Sequence, residues 1–421
     1  MYASNAPRVS LHSLGCKLNQ AELQELALAF EAYGFQVVGP RDDADAYVLN
    51  TCTVTSEADR KVRQWLRAVR RRNPESIVAA CGCGVELGRA QLEPLTDLLI
   101  SNREKARAAE LIAARMSGAP VGSLTLERNG RPGRTRSFVK IQEGCTTPCT
   151  YCIVPYVRRG ESSVPVDTVL SAVRSRISAG YREIVLTGTK PGAYRDGATH
   201  LAGLVRRTLE LPGVERLRIS SLQPQELSDE LLGLWRDSRL CRHFHLALQS
   251  GSATVLERMR RGYRPVDFSE ALERVRSFVP GAAITTDVIV GFPGETDGEF
   301  AENVAYCESA GFARIHVFPY SRRPGTPAAQ MQGQVPAAVL RSRVEVMQEV
   351  GRRGRSVYAS SWLGRTVRVL WEEEVTPGSG VYAGNTDNYI QVLCSSDAPL
   401  QNVLEDVVLE RCEADRVWVR R

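Results

Sequence analysis

Lysine is scarce in this sequence of 421 residues, although the formal net charge is +6. Nearly all basic residues are arginine, and the lysines are Lys17, Lys61, Lys105, Lys140 and Lys190. Arginine can bind a phosphate group through two parallel hydrogen bonds, which suits a nucleic-acid partner. A general preference for arginine on solvated surfaces would give the same composition. Net charge bears on association and not on fold.

Long apolar runs and abundant cysteine are absent as well. No stretch approaches the ~20 apolar residues of a membrane-spanning helix, and the first residues lack the charged-then-apolar pattern of a signal peptide. The 11 cysteines are far too few for a disulfide scaffold in a chain of this length. We therefore expect a cytoplasmic protein without a membrane partner, in which reduced thiols are available to metal.

Three of these cysteines lie in one loop, Gln142-Glu-Gly-Cys-Thr-Thr-Pro-Cys-Thr-Tyr-Cys-Ile-Val-Pro155. Cys145, Cys149 and Cys152 offer soft thiolate ligands, which select Fe–S clusters, zinc or Cu(I). Cubane Fe–S clusters usually have four cysteine ligands, so three would leave one iron open to a substrate or cofactor. A zinc loop with a distant fourth ligand and a group of buried thiols are the alternatives.

The first part of the chain alternates between short apolar runs and helical periodicity, which predicts a layered α/β domain with a mostly parallel sheet. The apolar runs are Val9–Leu14, Phe35–Val38, Ala46–Leu49, Ile77–Ala80 and Leu98–Ile100. Helical periodicity occupies Ala21–Tyr33, Glu57–Arg71 and Glu104–Met116. Asn19 with Glu22 predicts a helix start close in form to a capping box.

Cysteines follow three of the predicted strands. Cys16 follows the first, Cys52 follows the run that ends at Leu49, and Cys81 and Cys83 follow Ile77–Ala80. The carboxyl ends of parallel strands share one edge of a sheet, where ligands bind. This placement predicts a second three-thiolate metal site, with small buried side chains as the alternative.

The rest of the chain predicts two further domains of an α/β protein. A Gly-, Arg- and Pro-rich segment, residues 121–136, predicts a linker between residues 1–120 and residues 137–356. Six strand–helix units in the central part predict an open, partial (β/α)6 barrel whose strand ends line one mouth. Five short strands in residues 357–421 predict a small β-barrel. The basic and aromatic residues interleaved in this segment suit RNA binding. A basic barrel with aromatic residues in its core would have the same sequence pattern.

These motifs together resemble the methylthiotransferases of the radical S-adenosylmethionine (SAM) superfamily. The resemblance rests on Cys-x3-Cys-x2-Cys followed by Ile-Val-Pro, and on the stretches Ser13–Glu22, Asn50–Thr53 and Gly82-Cys83. It covers essentially the whole chain in the domain order of that family, and the C-terminal segment resembles its RNA-binding TRAM module.

The resemblance implies two 4Fe–4S clusters and SAM as cofactors. Cys145, Cys149 and Cys152 would hold the catalytic cluster, whose open iron chelates SAM. The auxiliary cluster would be bound by Cys16, Cys52 and Cys83, of which Cys83 is chosen over Cys81 because a glycine precedes it.

The resemblance also implies SAM-binding residues at the strand ends. Tyr151 would lie beside the adenine, unless it is a core aromatic. The other implied cofactor-binding residues are Gly188, Thr189, Ser220, Ser221 and Gln249. For the residues after the third and fourth strands, capping of strand ends is an equal alternative.

In this family one SAM methylates a sulfur at the auxiliary cluster, and a second yields the 5′-deoxyadenosyl radical that abstracts hydrogen from carbon 2 of adenine. Radical chemistry is required because an aryl C–H bond has no acid–base route at neutral pH. The expected partners are a tRNA anticodon stem-loop, an electron donor such as flavodoxin or ferredoxin, and a sulfur donor.

The motif Gly15-Cys-Lys-Leu-Asn19 resembles the subgroup that acts on N6-threonylcarbamoyladenosine at tRNA position 37. Alternative substrates are isopentenyladenosine in tRNA and an aspartate of a small-subunit ribosomal protein. A third possibility is an Fe–S protein that binds RNA or carries sulfur without catalysis.

Overall fold

The structure is a computed structural model that describes residues 6–116, 135–158, 160–413 and 416–421. The predicted linker, residues 121–136, lies outside this described part except for its last two residues. None of the helices in the described ranges is both long and apolar enough to cross a membrane.

The N-terminal part is a five-stranded parallel sheet with helices on both faces, in the order β2-β1-β3-β4-β5. Its strands are β1 (Arg8–Ser13), β2 (Gln36–Val38), β3 (Ala46–Thr51), β4 (Ile77–Gly82) and β5 (Leu98–Ile100). Its helices are α1 (Lys17–Ala32), α2 (Ser56–Arg72), α3 (Cys83–Leu92) and α4 (Ala108–Arg115). Separate apolar clusters cover the two faces of the sheet. Burial on both sides explains why the strand sequences are almost continuously apolar.

The first helix begins earlier than predicted. Cys16 is the N-cap of α1, with extended backbone and no side-chain cap, so the predicted capping box at Asn19 and Glu22 is wrong. Both side chains are buried and take part in a polar network described below. Gly34 follows the helix with φ +82°, in the left-handed conformation that glycine adopts readily.

The central part contains six parallel strands in two sheets, β11-β8-β6 and β12-β13-β14, with the short β7 antiparallel beside β6. The strands are β6 (Arg136–Glu143), β7 (Ser162–Ser163), β8 (Glu183–Gly188), β9 (Arg195–Asp196), β10 (Thr199–His200), β11 (Arg216–Ile219), β12 (His243–His245), β13 (Ala283–Val290) and β14 (Arg314–Pro319). Parallel bridges from Leu217 to Leu240 and from Leu222 to Leu246 connect β11 with the segment of β12. The two sheets therefore form the predicted open barrel.

Helices surround this barrel and lead to the C-terminal part. They are α5 (Val154–Val157), α6 (Val166–Ser178), α7 (Leu201–Leu209), α8 (Asp229–Gly233), α9 (Ala253–Arg258), α10 (Pro265–Phe278), α11 (Asp297–Ala310) and α12 (Ala337–Ser360). At the start of α11, Thr296 and Glu299 form a capping box.

The C-terminal part is a closed barrel in the order β15-β16-β17-β19-β18, as the short strands predicted. Its strands are β15 (Thr366–Glu374), β16 (Val381–Thr386), β17 (Gln391–Ser395), β18 (Leu404–Glu413) and β19 (Arg416–Arg420). Trp371 is fully buried in its core. Closure leaves this small sheet without free edges.

The turn between β16 and β17 packs against the amino-terminal end of the central barrel. Arg242 binds the Asp387 carboxylate at 2.6 Å. The Tyr389 ring stacks on His243 with 4.4 Å between ring centroids, and the Arg218 guanidinium lies 4.9 Å from the Tyr389 ring centroid. The C-terminal barrel thus closes one mouth of the central barrel.

Candidate active site

The loop with Cys145, Cys149 and Cys152 leaves the carboxyl end of β6 through a turn that requires glycine. Gly144 has φ +79°, and a Cβ at this position would lie 1.5 Å from the carbonyl oxygen of Gly160. No side chain fits in that space, and the positive φ is itself unfavourable for other residues. The turn directs the loop across the carboxyl-terminal mouth of the barrel.

Backbone hydrogen bonds then fix the middle of the loop. The Thr150 N–H donates to the Met259 carbonyl at 3.0 Å, and the Thr150 carbonyl accepts from the Ala328 N–H at 2.9 Å. Arg261 donates from Nη1 to Cys149 Sγ at 3.2 Å. Burial raises the pKa of the Cys152 thiol to about 12, and charge on the two other loop cysteines adds to the effect. The three thiols of the loop therefore lie close enough to interact.

The structure also brings Cys16, Cys52 and Cys83 together at the carboxyl edge of the N-terminal sheet. Burial raises the pKa of Cys52 to about 12, with further contributions from charge on Cys16 and Cys83. Cys16 is the N-cap of α1, and Cys83 is the first residue of α3. Helix amino termini favour negative charge, so both positions suit a thiolate ligand.

Cys81 lies at the same end of β4 but faces the core. It is fully buried in the apolar cluster on one face of the sheet, with Val9, Leu11 and Phe30. Burial raises its pKa to about 11. Cys83, in contrast, is the first residue of α3 and accepts a hydrogen bond from Arg158, so Cys83 stays the predicted third ligand.

Arg158 connects the two groups of cysteines. It follows α5, six residues after Cys152, and is 5% exposed. Its Nε donates to Cys83 Sγ at 3.2 Å, while Nη1 contacts Glu143 and Glu22, both at 2.6 Å. One guanidinium thus joins the base of the catalytic loop to the N-terminal thiols.

Glu22 is the centre of this buried network. Besides Arg158, it binds Lys105 Nζ at 2.7 Å. Burial alone would raise the pKa of Glu22, but Lys105 and Arg158 outweigh it and hold the pKa well below its usual value. Asn19 completes the network, since its Nδ2 donates to the Thr51 carbonyl at 2.9 Å and its Oδ1 accepts from Arg158 at 3.2 Å.

Sequence reasoning missed Arg158 and Lys105. Both are distant in sequence from their partners, and no local pattern marks either as part of a site. Glu22 was noticed only as a helix-capping residue, and Asn19 as a residue that either orients the site or caps the helix. The presence of two acidic and two basic side chains here follows only from the packing of α1 against β6.

Two of the predicted SAM-binding residues support the cysteine loop directly. A Cβ on Gly188 would lie 2.7 Å from the Gln142 carbonyl oxygen, so β8 approaches β6 closely here. The Thr189 hydroxyl accepts from the Gly144 N–H at 3.2 Å. The Lys190 N–H donates to Gln142 Oε1 at 2.7 Å. These contacts join the second strand end to the loop.

The other predicted cofactor residues lie further around the same mouth. Ser220 and Ser221 directly follow β11, and the Ser220 hydroxyl is buried without a hydrogen-bond partner. Gln249 follows β12 with φ +72°, and its N–H donates to the Asp287 carbonyl at 2.8 Å. Tyr151 packs against the main core cluster, and burial raises its pKa. The predicted residues thus share one mouth but do not form a single contact group.

The arrangement of the thiols distinguishes between a cluster and a single metal ion. In the described part of the chain, no three or more Cys, His, Asp or Glu side chains are placed to hold one metal ion. A zinc ion with bonds of ~2.3 Å needs sulfurs within about 4 Å of one another, whereas a cubane binds each cysteine through a different iron. Two groups of three thiols, each with at least one buried member, therefore fit Fe–S cubanes better than mononuclear zinc.

The barrel interior contains polar residues that the sequence did not single out. His245 Nε2 lies 3.2 Å from Asp287 Oδ2, and burial lowers the pKa of His316 to about 4. Lys17, the residue after Cys16, extends into this interior and donates from Nζ to the Ser220 carbonyl at 3.4 Å. Burial lowers the pKa of Lys17. Lys17 thus connects the segment of Cys16 to the carboxyl end of β11.

Comparison with known proteins identifies the family. Residues 139–307 match the model of the Radical SAM superfamily, and residues 8–100 match that of the Uncharacterized protein family UPF0004. A threonylcarbamoyladenosine tRNA methylthiotransferase of Bacillus subtilis is 35% identical over 404 residues, which is 91% of this chain and 90% of that protein. The chain belongs to the radical SAM tRNA methylthiotransferases.

Other members of this family differ in substrate. A tRNA-2-methylthio-N(6)-dimethylallyladenosine synthase of Syntrophotalea carbinolica is 34% identical over 397 residues, with 89% of this chain and 91% of that protein covered. Membership confirms the predicted transferase class and the cofactors, 4Fe–4S clusters with SAM. It does not by itself separate the two nucleoside substrates.

A solved structure shares the fold. The radical SAM methyltransferase TsrM of Kitasatospora setae has a TM-score of 0.58 and 16% identity, with 77% of this chain and 75% of that chain covered. This similarity confirms the predicted α/β architecture around the barrel.

Proposed function

We propose that this chain attaches a methylthio group to carbon 2 of N6-threonylcarbamoyladenosine at tRNA position 37. The proposal rests chiefly on two groups of three thiols that are joined by Arg158. Methylthiolation needs both a radical source and a source of sulfur, and two separate thiolate sites can supply them. The threonylcarbamoyladenosine enzyme of Bacillus subtilis, which the chain matches over most of its length, supports this nucleoside.

Each group of thiols has a distinct role in this proposal. Cys145, Cys149 and Cys152 would hold the 4Fe–4S cluster that binds SAM, and Cys16, Cys52 and Cys83 would hold the auxiliary cluster. When bound, these groups supply a 5′-deoxyadenosyl radical and a methylated sulfur for insertion. Around them the chain excludes water, positions the adenine and holds the cofactor at the strand ends.

Arginines from the protein contact one thiol in each group. Arg261 donates to Cys149 and Arg158 donates to Cys83. Because N–H donors to cluster sulfurs are among the features that set reduction potential, the two potentials can be adjusted independently.

The other implied partners complete the proposal. The tRNA anticodon stem-loop would contact the C-terminal barrel, where Arg365, Arg368, Arg411 and Arg420 are exposed. An electron donor such as flavodoxin or ferredoxin and a separate sulfur donor would restore the enzyme after each turnover.

The decisive experiment is a nucleoside profile. tRNA from a strain without this gene would be digested and compared with that of the wild type by mass spectrometry. We expect specific loss of 2-methylthio-N6-threonylcarbamoyladenosine, with restoration by the wild-type gene but not by Cys149→Ala. Loss of the methylthio-isopentenyl nucleoside instead would assign the second substrate, and an unchanged profile would refute tRNA methylthiolation.

Iron content tests the two sites separately. Anaerobically reconstituted protein should contain about eight irons per chain. Replacing Cys16, Cys52 and Cys83 together by alanine should leave about four, and replacing the three loop cysteines should do the same. SAM cleavage to 5′-deoxyadenosine should survive only in the first variant.

A further inference from the structure

Lys17 is the one residue of the Cys16 segment whose charged group enters the barrel. Its Nζ has a single hydrogen bond, the 3.4 Å contact with the Ser220 carbonyl. An ammonium has three N–H donors, so two remain without a protein acceptor in the described residues. Lys17 also forms no ion pair with any described carboxylate.

The other charged groups near Lys17 contact residues other than Lys17, and Arg218 shares the single carboxylate of Glu183 with Arg216. Arg218 binds Glu183 at 2.8 Å, Arg136 binds Glu372 at 2.6 Å, and Asp287 is paired with His245. Lys17 therefore contributes net positive charge to a partly buried cavity. A buried charge without a partner is costly, which indicates that an anion supplied from outside the protein binds here.

A second observation indicates the same location. Ser220 is 2% exposed, and its hydroxyl has no hydrogen-bond partner among the described residues. It belongs to the residue whose carbonyl contacts Lys17. An ammonium and a hydroxyl with free donors can together bind the two oxygens of a carboxylate.

We infer that Lys17, assisted by Ser220, binds the carboxylate of the threonylcarbamoyl group of the substrate. This inference rests on the proposed function, since it concerns the nucleoside at that site. The threonylcarbamoyl group ends in a carboxylate, whereas the dimethylallyl group is an uncharged hydrocarbon. Lys17 thus distinguishes the two nucleosides by charge.

SAM also contains a carboxylate, but other basic residues lie beside the cysteine loop. Arg261 contacts Cys149, and Lys190, whose ammonium lies 3.8 Å from Glu161, bonds to Gln142 through its backbone N–H. Lys17 instead follows Cys16 at the auxiliary site. We therefore assign the substrate carboxylate to Lys17 and use SAM affinity to test the other source.

The test is a binding experiment with the reconstituted holoenzyme. Anticodon stem-loops would have N6-threonylcarbamoyladenosine, its methyl ester or plain adenosine at position 37. The wild type should prefer the acid over the ester by roughly 10- to 100-fold, as expected for charge-assisted hydrogen bonds. Lys17→Gln should bind both equally and should keep its affinity for SAM and for the adenosine stem-loop.

Lys61→Gln is the matched control, because Lys61 is exposed on α2 and pairs with Glu57 at 3.0 Å. It should keep the preference of the wild type. Iron content and cluster absorbance of each variant show whether the neighbouring Cys16 still holds its cluster. If Lys17→Gln loses iron, the test uses Ser220→Ala instead. We expect Ser220→Ala to weaken the preference for the acid over the ester by about threefold.

Four results would overturn the inference. These are equal binding of acid and ester by the wild type, a preference that survives in Lys17→Gln or is undiminished in Ser220→Ala, equal weakening of all three stem-loops, and a loss confined to SAM. Wild-type protein that selects the acid but never methylthiolates it would refute the proposed function and leave the assignment of Lys17 intact.

Discussion

Gly144 shows how one residue can determine whether a cluster loop forms. Gly144→Ala would place a methyl group 1.5 Å from a backbone carbonyl oxygen and force a positive φ on alanine. We expect about four irons per chain to remain, because the predicted auxiliary ligands Cys16, Cys52 and Cys83 lie on other elements. SAM cleavage should fall to background.

Gly197→Ala is a suitable control for that experiment. Gly197 also has a positive φ, but a Cβ there has no neighbour within 4 Å. This variant should keep its iron and its SAM cleavage. Full iron content in Gly144→Ala would show that the turn is not needed for the cluster.

Arg158 should affect the reduction potential of the auxiliary cluster, because it donates a hydrogen bond to Cys83, a predicted ligand of that cluster. Removing a positive donor disfavours the reduced, more negative cluster. Arg158→Gln should therefore lower the auxiliary potential by roughly 60 to 130 mV, the equivalent of one charge-assisted hydrogen bond. Redox titration followed by electron paramagnetic resonance measures this shift.

Arg261→Gln is the reciprocal control, since Arg261 contacts the catalytic loop at Cys149. It should lower the potential of the catalytic cluster and leave the auxiliary cluster unchanged. Equal shifts of both clusters in either variant would show a general loss of structure instead of a local hydrogen bond.

At the scale of elements, alternation along the sequence was sufficient to predict both the N-terminal sheet and the barrel. The strands are apolar and short, and each helix between them has a clear amphipathic period. α3 was not predicted, because Gly82 and Gly84 flank Cys83 and glycine is a poor helix former. The early start of α1 was missed because its N-cap is a cysteine, which offers no conventional capping group.

Only part of the candidate site could be predicted from the sequence. The cysteines follow strands at recognisable points, so their positions could be inferred from local sequence. Their partners could not, because Arg158, Lys105 and Lys17 reach the site through packing between distant elements. Such long-range pairs have no signature within a sequence window.

The strands of the barrel also share a buried charge cluster at their amino ends. Glu183 on β8 binds Arg216 at 2.7 Å and Arg218 at 2.8 Å, and all three are at most 2% exposed. Burial would raise the pKa of Glu183, but the arginines outweigh it and hold the pKa below its ordinary value of 4.5. Glu183→Gln should destabilise the protein by about 3–5 kcal/mol at neutral pH, since two buried cations lose their partner.

The pH dependence provides the check. A carboxylate with a depressed folded-state pKa stabilises the protein above the unfolded-state pKa, and this stabilisation is lost as the pH falls. The stability difference between wild type and Glu183→Gln in urea should therefore stay constant above about pH 5 and shrink progressively as the pH falls below the unfolded-state pKa of about 4.5. A difference that stays constant with pH would show that Glu183 does not titrate in this way.

At the scale of the whole molecule, the C-terminal barrel is packed onto the catalytic barrel and does not project freely from it. Besides the Arg242–Asp387 ion pair, Arg216 donates to the carbonyls of Asn385 and Thr386, both at 3.1 Å. The C-terminal barrel is therefore held at a fixed distance from the mouth that contains the cysteines.

A double-mutant cycle on Arg242 and Asp387 tests this coupling. The pair is partly buried and has two hydrogen bonds, at 2.6 and 3.2 Å. Arg242→Ala and Asp387→Ala should each destabilise the protein, and the double variant should be more stable than the sum predicts by about 1–2 kcal/mol. The exposed pair Arg206–Glu230 is the reference, with an expected coupling below about 1 kcal/mol. Additive effects at Arg242 and Asp387, or a coupling no larger than that of the reference pair, would show that this contact does not hold the two barrels together.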